Sequence, residues 1–261
     1  MRSLQKIDWS WLYVYIVIFF LLAPLISILL LSLSRTVYLQ FPPALFSLQW
    51  YRELANNQAL LNSFYLSLRV AIPATIISTV CGTLVAIGTR VLGGPILKLN
   101  HLLFLGPLIV PYVILATGLS RFFLMIGVRG LPAITLSHAT IAMPYVFLLV
   151  YAGLNLLPES IEEGAQVLGA NRFKVLRKIT LPLLKPHIFA GMMFAFIASF
   201  GEFIIAYMLS GPRTTLLTVY IYSSVREKTE PSLSALLSLI TIVIIFLAFF
   251  YSKIYLGKQK L

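Results

Sequence analysis

Few residues in this chain could carry chemistry, and they lie far apart. Glu202 is the one acidic residue within a long apolar run, and the three histidines are His101, His138 and His187. Hydrogen bonds to neighbouring helices explain such scattered histidines better than metal ligation does, and the single Cys81 cannot form an internal disulfide. The sequence contains no glycine-rich nucleotide loop, no H-E-x-x-H pair and no paired cysteines. It therefore predicts no catalytic group and no cofactor held by this chain.

The composition places these residues in a membrane protein. Of the 261 residues, 59% are hydrophobic and 11% are charged, whereas soluble domains are about 45–50% apolar and about 25% charged. The net charge of +12 does not indicate nucleic-acid binding, because the basic residues fall at the ends of apolar runs rather than in one patch. The sequence predicts an all-α integral protein of the lipid bilayer.

Six apolar runs are long enough to cross a bilayer, which takes about 20 residues. They cover residues 11–33, 65–88, 102–125, 132–154, 188–210 and 233–252. The first is too long for a cleaved signal peptide and no small-residue cleavage site follows, so it is interpreted as a retained span. Pro107, Pro111 and Gly118 are expected to break or loosen the third run. One transmembrane domain over residues 1–261 is the simplest organisation.

The basic residues also predict an orientation, because Lys and Arg favour the cytoplasmic side of a membrane. With both termini in the cytoplasm, 12 of the 20 Lys and Arg residues lie inside and 7 outside, while Arg69 falls within the second span. This arrangement makes residues 155–187, between the fourth and fifth spans, a cytoplasmic loop.

This cytoplasmic loop is polar, unlike the runs that flank it. Pro158 suits the first turn of a short helix, and Gly169 suits the left-handed residue that ends it. Asn171 can cap a second helix that extends to Ile179, and Pro182 is expected to stop that helix before the fifth span. Two short helices with a glycine bend would allow another protein to approach closely. A hairpin lying on lipid headgroups is the alternative.

Part of the loop follows a fixed spacing, formed by Glu163, Gly164, Ala165, Gly169, Ile179, Leu181 and Pro182. This spacing resembles the EAA signature of binding-protein-dependent ABC importer permeases, E-A-A-x3-G-x9-I-x-L-P. Gly164 stands where alanine is usual, at a cost in helix propensity of up to about 1 kcal/mol. In that family the loop is a coupling helix that docks on the ATPase subunit. The resemblance implies this role for the residues above and for Ala170, Arg172, Arg177 and Lys178.

The resemblance covers most of the chain and is closest to the spermidine/putrescine-type branch. The residues that carry this likeness are Phe194–Glu202, Leu209–Pro212, Thr214–Leu216 and Pro231–Ala235. It implies a six-helix type I importer permease of MetI-like fold in a bacterial inner membrane, with no enzymatic activity of its own. The implied substrate is a polyamine-like cation such as spermidine or putrescine. An opine-like compound, an aminophosphonate, sulfate or iron is the alternative.

The resemblance implies several partners as well. A second, related permease would complete the pathway, with a homodimer as the alternative. Two ATPase subunits would bind ATP and Mg, and an extracytoplasmic binding protein would deliver the solute. A secondary transporter would instead need inverted repeats and several intramembrane ionisable residues, of which only Glu202 and Arg69 are present. A scaffold protein without a transport role is the other rival class.

Four residues are candidates for the substrate pathway, namely Glu202, Tyr112, Ser199 and Arg69. Glu202 lies 14 residues beyond Ile188, so at 1.5 Å per residue it is about 21 Å from the cytoplasmic end of its span, slightly outward of the midplane. A carboxylate at this depth is expected either to meet a cationic substrate or to pair with Arg69. Tyr112 stands where polyamine permeases often carry an acid. Tyr112 could offer its ring face to a cation or its hydroxyl group to a hydrogen bond. The alternative is that it packs as an ordinary helix residue.

Overall fold

The computed structural model describes residues 9–36, 46–92, 94–211, 213–227 and 231–256, and these ranges consist of helices joined by short connections. The predicted all-α class is therefore confirmed. Four of the described helices are long and apolar enough to cross a membrane, or five if one bent pair counts as a single span. Five of the Lys and Arg residues counted for the predicted orientation lie outside the described ranges, namely Arg2, Lys6, Lys228, Lys258 and Lys260, and so does Pro212.

The chain divides into two compact units, a first unit of Met1–Asn62 with Ile221–Leu261 and a second unit of Ser63–Tyr220. The helices of the first unit are α1 (Trp9–Ser32), α2 (Gln49–Asn56) and α12 (Ser232–Leu256). Helix α3 (Gln58–Leu92) continues into the second unit, and α11 (Leu217–Glu227) leads out of it. The other helices of the second unit are α4 (Gly94–Ile109), α5 (Tyr112–Met125), α6 (Leu131–Leu156), α7 (Glu159–Val167), α8 (Arg172–Val175), α9 (Leu181–Phe200) and α10 (Ile204–Leu209).

In the first unit, α12 packs against α1 and α2. Tyr51 of α2 joins the two long helices, because its hydroxyl group lies 2.9 Å from Ser32 Oγ and 2.8 Å from Ser238 Oγ. The neighbouring Trp50 donates its indole N–H to the carbonyl of Ser34 at 2.5 Å. These polar contacts fix the short helix α2 at the ends of α1 and α12.

In the second unit, α6 lies at the centre and packs most extensively against α9. Small residues allow the close approach that membrane helices need. A Cβ placed on Gly82 of α3 would lie 2.8 Å from Val146 Cβ, and one placed on Gly191 of α9 would lie 3.0 Å from Val146 Cα. The core continues along α6 through Phe147 and Val150, both fully buried. Three spans therefore meet at Val146.

The third predicted span is broken, as its prolines suggested, but at one point only. Helices α4 and α5 meet at an angle of 112° at Val110 and Pro111. A residue before proline is disfavoured in the helical region, and proline lacks the N–H that would continue the ladder. Pro107 lies inside α4 and Gly118 inside α5 without ending either helix. The prediction is confirmed at Pro111 and not at these two positions.

The prediction that Pro182 stops a helix is wrong. Helix α8, a π-helical turn over Leu176–Thr180 and α9 form one continuous run, Arg172–Phe200. The N–H of Leu181 donates to the carbonyl of Leu176, five residues earlier. A π turn widens the helix locally, and this turn ends two residues before Pro182, so the ring is accommodated without ending the helix. The helix of the predicted fifth span therefore begins within the loop of residues 155–187, and its main part ends at Phe200 rather than at residue 210.

Candidate functional site

The loop of residues 155–187 begins with a short helix at the predicted place, with Pro158 at the position just before its first turn. Helix α7 starts directly after Pro158, which has a φ of −60°, and carries Glu159 and Glu162 in its first turn. Acidic side chains at this position complement the positive end of the helix dipole. None of the described residues of α7 is buried, so this helix is not held by apolar packing.

The glycine bend has the geometry of a Schellman motif. Gly169 has a φ of +85°, its N–H donates to the carbonyl of Gln166 at 2.9 Å, and the N–H of Ala170 donates to that of Ala165 at 3.0 Å. This pair of bonds closes the C-terminus of a helix and requires a left-handed residue, normally glycine. Asn171 then caps α8 by accepting the N–H of Lys174 at 2.8 Å. The predicted bend and the predicted cap are both confirmed.

The bend exposes apolar side chains on an otherwise polar loop. Val167, Leu168 and Phe173 are 86%, 89% and 69% exposed. A Cβ placed on Gly164 or Gly169 would meet no heavy atom within 4 Å. Large apolar side chains exposed on a polar loop mark an interaction surface. We call the surface formed by Val167, Leu168 and Phe173 the apolar bend.

The other sequence-predicted residues of the loop lie around this surface. Exposed residues are Glu163, Arg172, Arg177, Lys178 and Pro182, while Ala165, Ala170, Ile179 and Leu181 are partly buried. The charged side chains on both sides of the apolar bend therefore point to solvent, available to a partner.

Glu202, the acidic residue inside the fifth span, lies in the break between α9 and α10 and is buried. Its two carboxylate oxygens accept the backbone N–H groups of Ile205 at 3.0 Å and Ala206 at 2.9 Å. Its carbonyl accepts the hydroxyl of Thr218 at 2.8 Å. The carboxylate thus satisfies the N-terminus of α10, where free N–H groups and the helix dipole favour a negative charge.

His138 of α6 completes a buried polar cluster with Glu202. Its Nε2 lies 3.6 Å from Glu202 Oε2, and its Nδ1 shares a hydrogen bond of 3.1 Å with Ser199 Oγ of α9. The expectation that a histidine bonds to a neighbouring helix is confirmed here. Sequence spacing does not connect His138 with Glu202, because 64 positions separate them.

Tyr112 lies beside this cluster. Its hydroxyl group hydrogen-bonds with that of Tyr145 on α6, and Glu202 is close enough to act on it electrostatically. Both tyrosines are partly exposed, so they form the accessible edge of the cluster. Tyr145 was not singled out as a site residue.

The alternative that Glu202 pairs with Arg69 is wrong. Arg69 is exposed on α3, whereas the ionisable side chain within 4 Å of the Glu202 carboxylate, among the residues that the structure describes, is His138. The carboxylate instead accepts the unpaired N–H groups at the N-terminus of α10, which lie within hydrogen-bond distance of it. Of the four pathway candidates, the structure brings Glu202, Ser199 and Tyr112 together and leaves Arg69 apart.

These elements match a known family of transport proteins. Residues 78–256 fit the family described as binding-protein-dependent transport system inner membrane component. The chain belongs to this family. It is 34% identical over 232 residues to the putrescine transport system permease protein PotI of Escherichia coli K12, which covers 85% of this chain and 81% of that relative. It is 31% identical over 202 residues to the spermidine/putrescine transport system permease protein PotC of the same strain, with coverages of 76% and 75%.

The fold agrees with this assignment. The permease superposes on a crystal structure of a bacterial ABC transporter involved in the import of the acidic polysaccharide alginate, with a TM-score of 0.73, 15% identity and coverages of 98% and 99%. The protein is thus a permease component of an ABC importer in the inner membrane, and its resemblance to the spermidine/putrescine-type branch is confirmed. Its relatives are transport permeases rather than enzymes.

Proposed function

We propose that this permease forms one half of the translocation pathway for a polyamine-like cation and is driven by a separate ATPase that docks on the apolar bend. Six spans would be supplied by α1, α3, the broken pair α4–α5, α6, α9 with α10, and α12. Helix α12 has 25 residues, about 37 Å at 1.5 Å per residue, which is enough to cross a bilayer. Both termini would then be cytoplasmic, as the distribution of basic residues predicts.

The observation that carries the proposal is the exposure of the apolar bend. Leu168 is 89% exposed and Val167 is 86% exposed. Both lie directly before Gly169, which has a φ of +85° and no side chain to obstruct a partner. A partner with a groove would bury these side chains, at roughly 25 cal/mol for each Å² removed from water. Glu159, Glu162 and Glu163 make α7 itself a poor match for anionic headgroups, which repel them, although the five basic residues that follow in the loop would be attracted.

The substrate proposal comes from the polyamine permeases to which the chain is similar, together with the partly exposed tyrosines. Tyr112 and Tyr145 present hydroxyl groups and ring faces, both of which bind ammonium groups well. Glu202 would contribute a nearby negative charge while it holds α10, and Ser199 would position His138. An extracytoplasmic binding protein would deliver the solute, and a second permease would supply the other half of the pathway. ATP and Mg would bind the ATPase subunits rather than this chain.

The coupling proposal is tested by one exposed position. Leu168→Asp should abolish co-purification of the ATPase with the permease pair, because it places a charge where the groove must be apolar. Val225→Asp is the matched control, since Val225 is 74% exposed and lies outside the loop. Undiminished ATPase recovery with Leu168→Asp would overturn the proposal.

The substrate proposal needs its own measurement. The complex should be reconstituted in proteoliposomes with its binding protein, and ATP-dependent uptake of labelled putrescine, spermidine and sulfate compared. Uptake of either polyamine without sulfate uptake supports the proposal. Uptake of sulfate alone, or of no member of this panel by a complex that hydrolyses ATP, would contradict it.

A further inference from the structure

Arg90, in the last turn of α3, contacts two other segments of the second unit. Its Nη1 donates to the carbonyl of Leu154 at 2.6 Å and its Nη2 to that of Leu157 at 3.4 Å, both at the C-terminal end of α6. The same Nη2 lies 3.7 Å from Glu162 Oε2 on α7. The final carbonyls of a helix lack partners within it and favour a cation, so Arg90 binds the end of α6 and the start of α7 together.

Glu162 extends these contacts to the fifth span. Its Oε1 accepts the hydroxyl of Thr180 at 2.6 Å, and Thr180 is buried at the end of the π turn that leads into α9. The side chains of Arg90 and Glu162 are only 17% and 26% exposed. Partial burial strengthens charged contacts relative to those at a free surface.

The contacts of Arg90 and Glu162 matter for the position of α7 because few other contacts hold this helix. None of the described residues of α7 is buried. A cavity of about 450 Å³ adjoins the helix, lined in part by Arg90, Glu162 and Thr180. Close packing therefore contributes little to the position of α7, and the polar contacts of Glu162 hold the helix. The π turn beside Thr180 is also a place where the hydrogen-bond ladder of a helix can shift.

We propose that Arg90, Glu162 and Thr180 form a relay that transmits displacement of α7 to the second, fourth and fifth spans. This inference rests on the proposed function, because an ATPase bound at the apolar bend would move α7. The three side chains are positioning residues and need not touch solute or nucleotide. Without the relay, α7 would move with the ATPase while the spans followed incompletely, so that ATP would be hydrolysed with little transport.

The first test is the number of ATP molecules hydrolysed per solute imported, measured on the complete complex in proteoliposomes. Glu162→Gln and Thr180→Val should leave ATPase co-purification intact and raise this ratio about fivefold or more, the lower end of typical coupling between sites. Arg90→Lys, which keeps the charge, should raise it less than Arg90→Gln. Glu159→Gln is the matched control, because Glu159 is an exposed acid in the same helical turn.

A purely structural role predicts a different result, namely less complex with an unchanged ratio, and that result would overturn the relay. If the wild-type permease does not bind the ATPase, the proposed function is contradicted, and the number of ATP molecules hydrolysed per solute cannot be measured. The relay then still has a separate readout. Spin labels can be attached to cysteines introduced at Ser160 and Val91, both exposed, in a Cys81→Ala background. The distribution of distances between the two labels should be broader in Glu162→Gln than in Glu159→Gln. Equal widths would also overturn it.

Discussion

His138 Nε2 lies 3.6 Å from Glu202 Oε2, where α6 passes the break between α9 and α10. The carboxylate also accepts N–H groups from Ile205 and Ala206. An acid that appears in the sequence as a candidate for binding solute is thus already engaged on both oxygens. Its surroundings give it the role of holding a broken membrane helix, with the tyrosine edge of the cluster left open toward the proposed pathway.

Glu202→Gln should lower the thermal stability of the purified complex as well as uptake. Glutamine offers one acceptor where the carboxylate offers two, and its amide group would face a backbone N–H. A buried donor left without a partner costs about 1–3 kcal/mol, which corresponds to roughly 2–10 °C in Tm for a chain of this size. Glu53→Gln is the control, since Glu53 is exposed. Reduced uptake at an unchanged Tm would show instead that Glu202 contacts solute.

Two glycines of the loop of residues 155–187 should respond differently to alanine. Both have open space around a Cβ, but only Gly169 has a positive φ, of +85°. A left-handed conformation costs a non-glycine residue about 1–2 kcal/mol, whereas alanine within α7 gains up to about 1 kcal/mol of helix propensity. Gly169→Ala should therefore reduce ATPase recovery and uptake, and Gly164→Ala should preserve or raise both. Equal effects of the two substitutions would contradict this reasoning.

The basic residues of the π turn should contribute to ATPase docking. Arg177 and Lys178 are exposed next to the apolar bend. The double charge reversal Arg177→Glu with Lys178→Glu should weaken binding of the ATPase roughly tenfold, since it replaces attraction by repulsion at a rim where each pair contributes up to about 1 kcal/mol. Lys185→Glu, also exposed but further along the chain, is the control. Co-purification of the ATPase at undiminished yield would contradict this role.

The sequence predicted this loop well because its structure is local. A helix start at Pro158, a left-handed Gly169 and a cap at Asn171 each depend on residues within a few positions. The fate of Pro182 could not be predicted in the same way, because a π turn earlier in the helix accommodates it. The contacts of Glu202 with His138 and of Arg90 with Glu162 depend on how the helices pack, which apolar periodicity does not reveal when helices are apolar on every side.

The close packing at Val146 gives a prediction for Gly82 of α3, and Gly88 in the same helix serves as the control. A Cβ placed on Gly82 would lie 2.8 Å from Val146 Cβ and 3.1 Å from the carbonyl oxygen of Met143, whereas one placed on Gly88 would meet no heavy atom within 4 Å. Overpacking of this kind typically costs 1–3 kcal/mol. Gly82→Ala should thus lower the Tm of the complex by roughly 2–10 °C, while Gly88→Ala leaves it unchanged or raises it. If Gly82→Ala unfolds at the wild-type temperature, α3 and α6 do not approach as closely at Val146 as the structure places them.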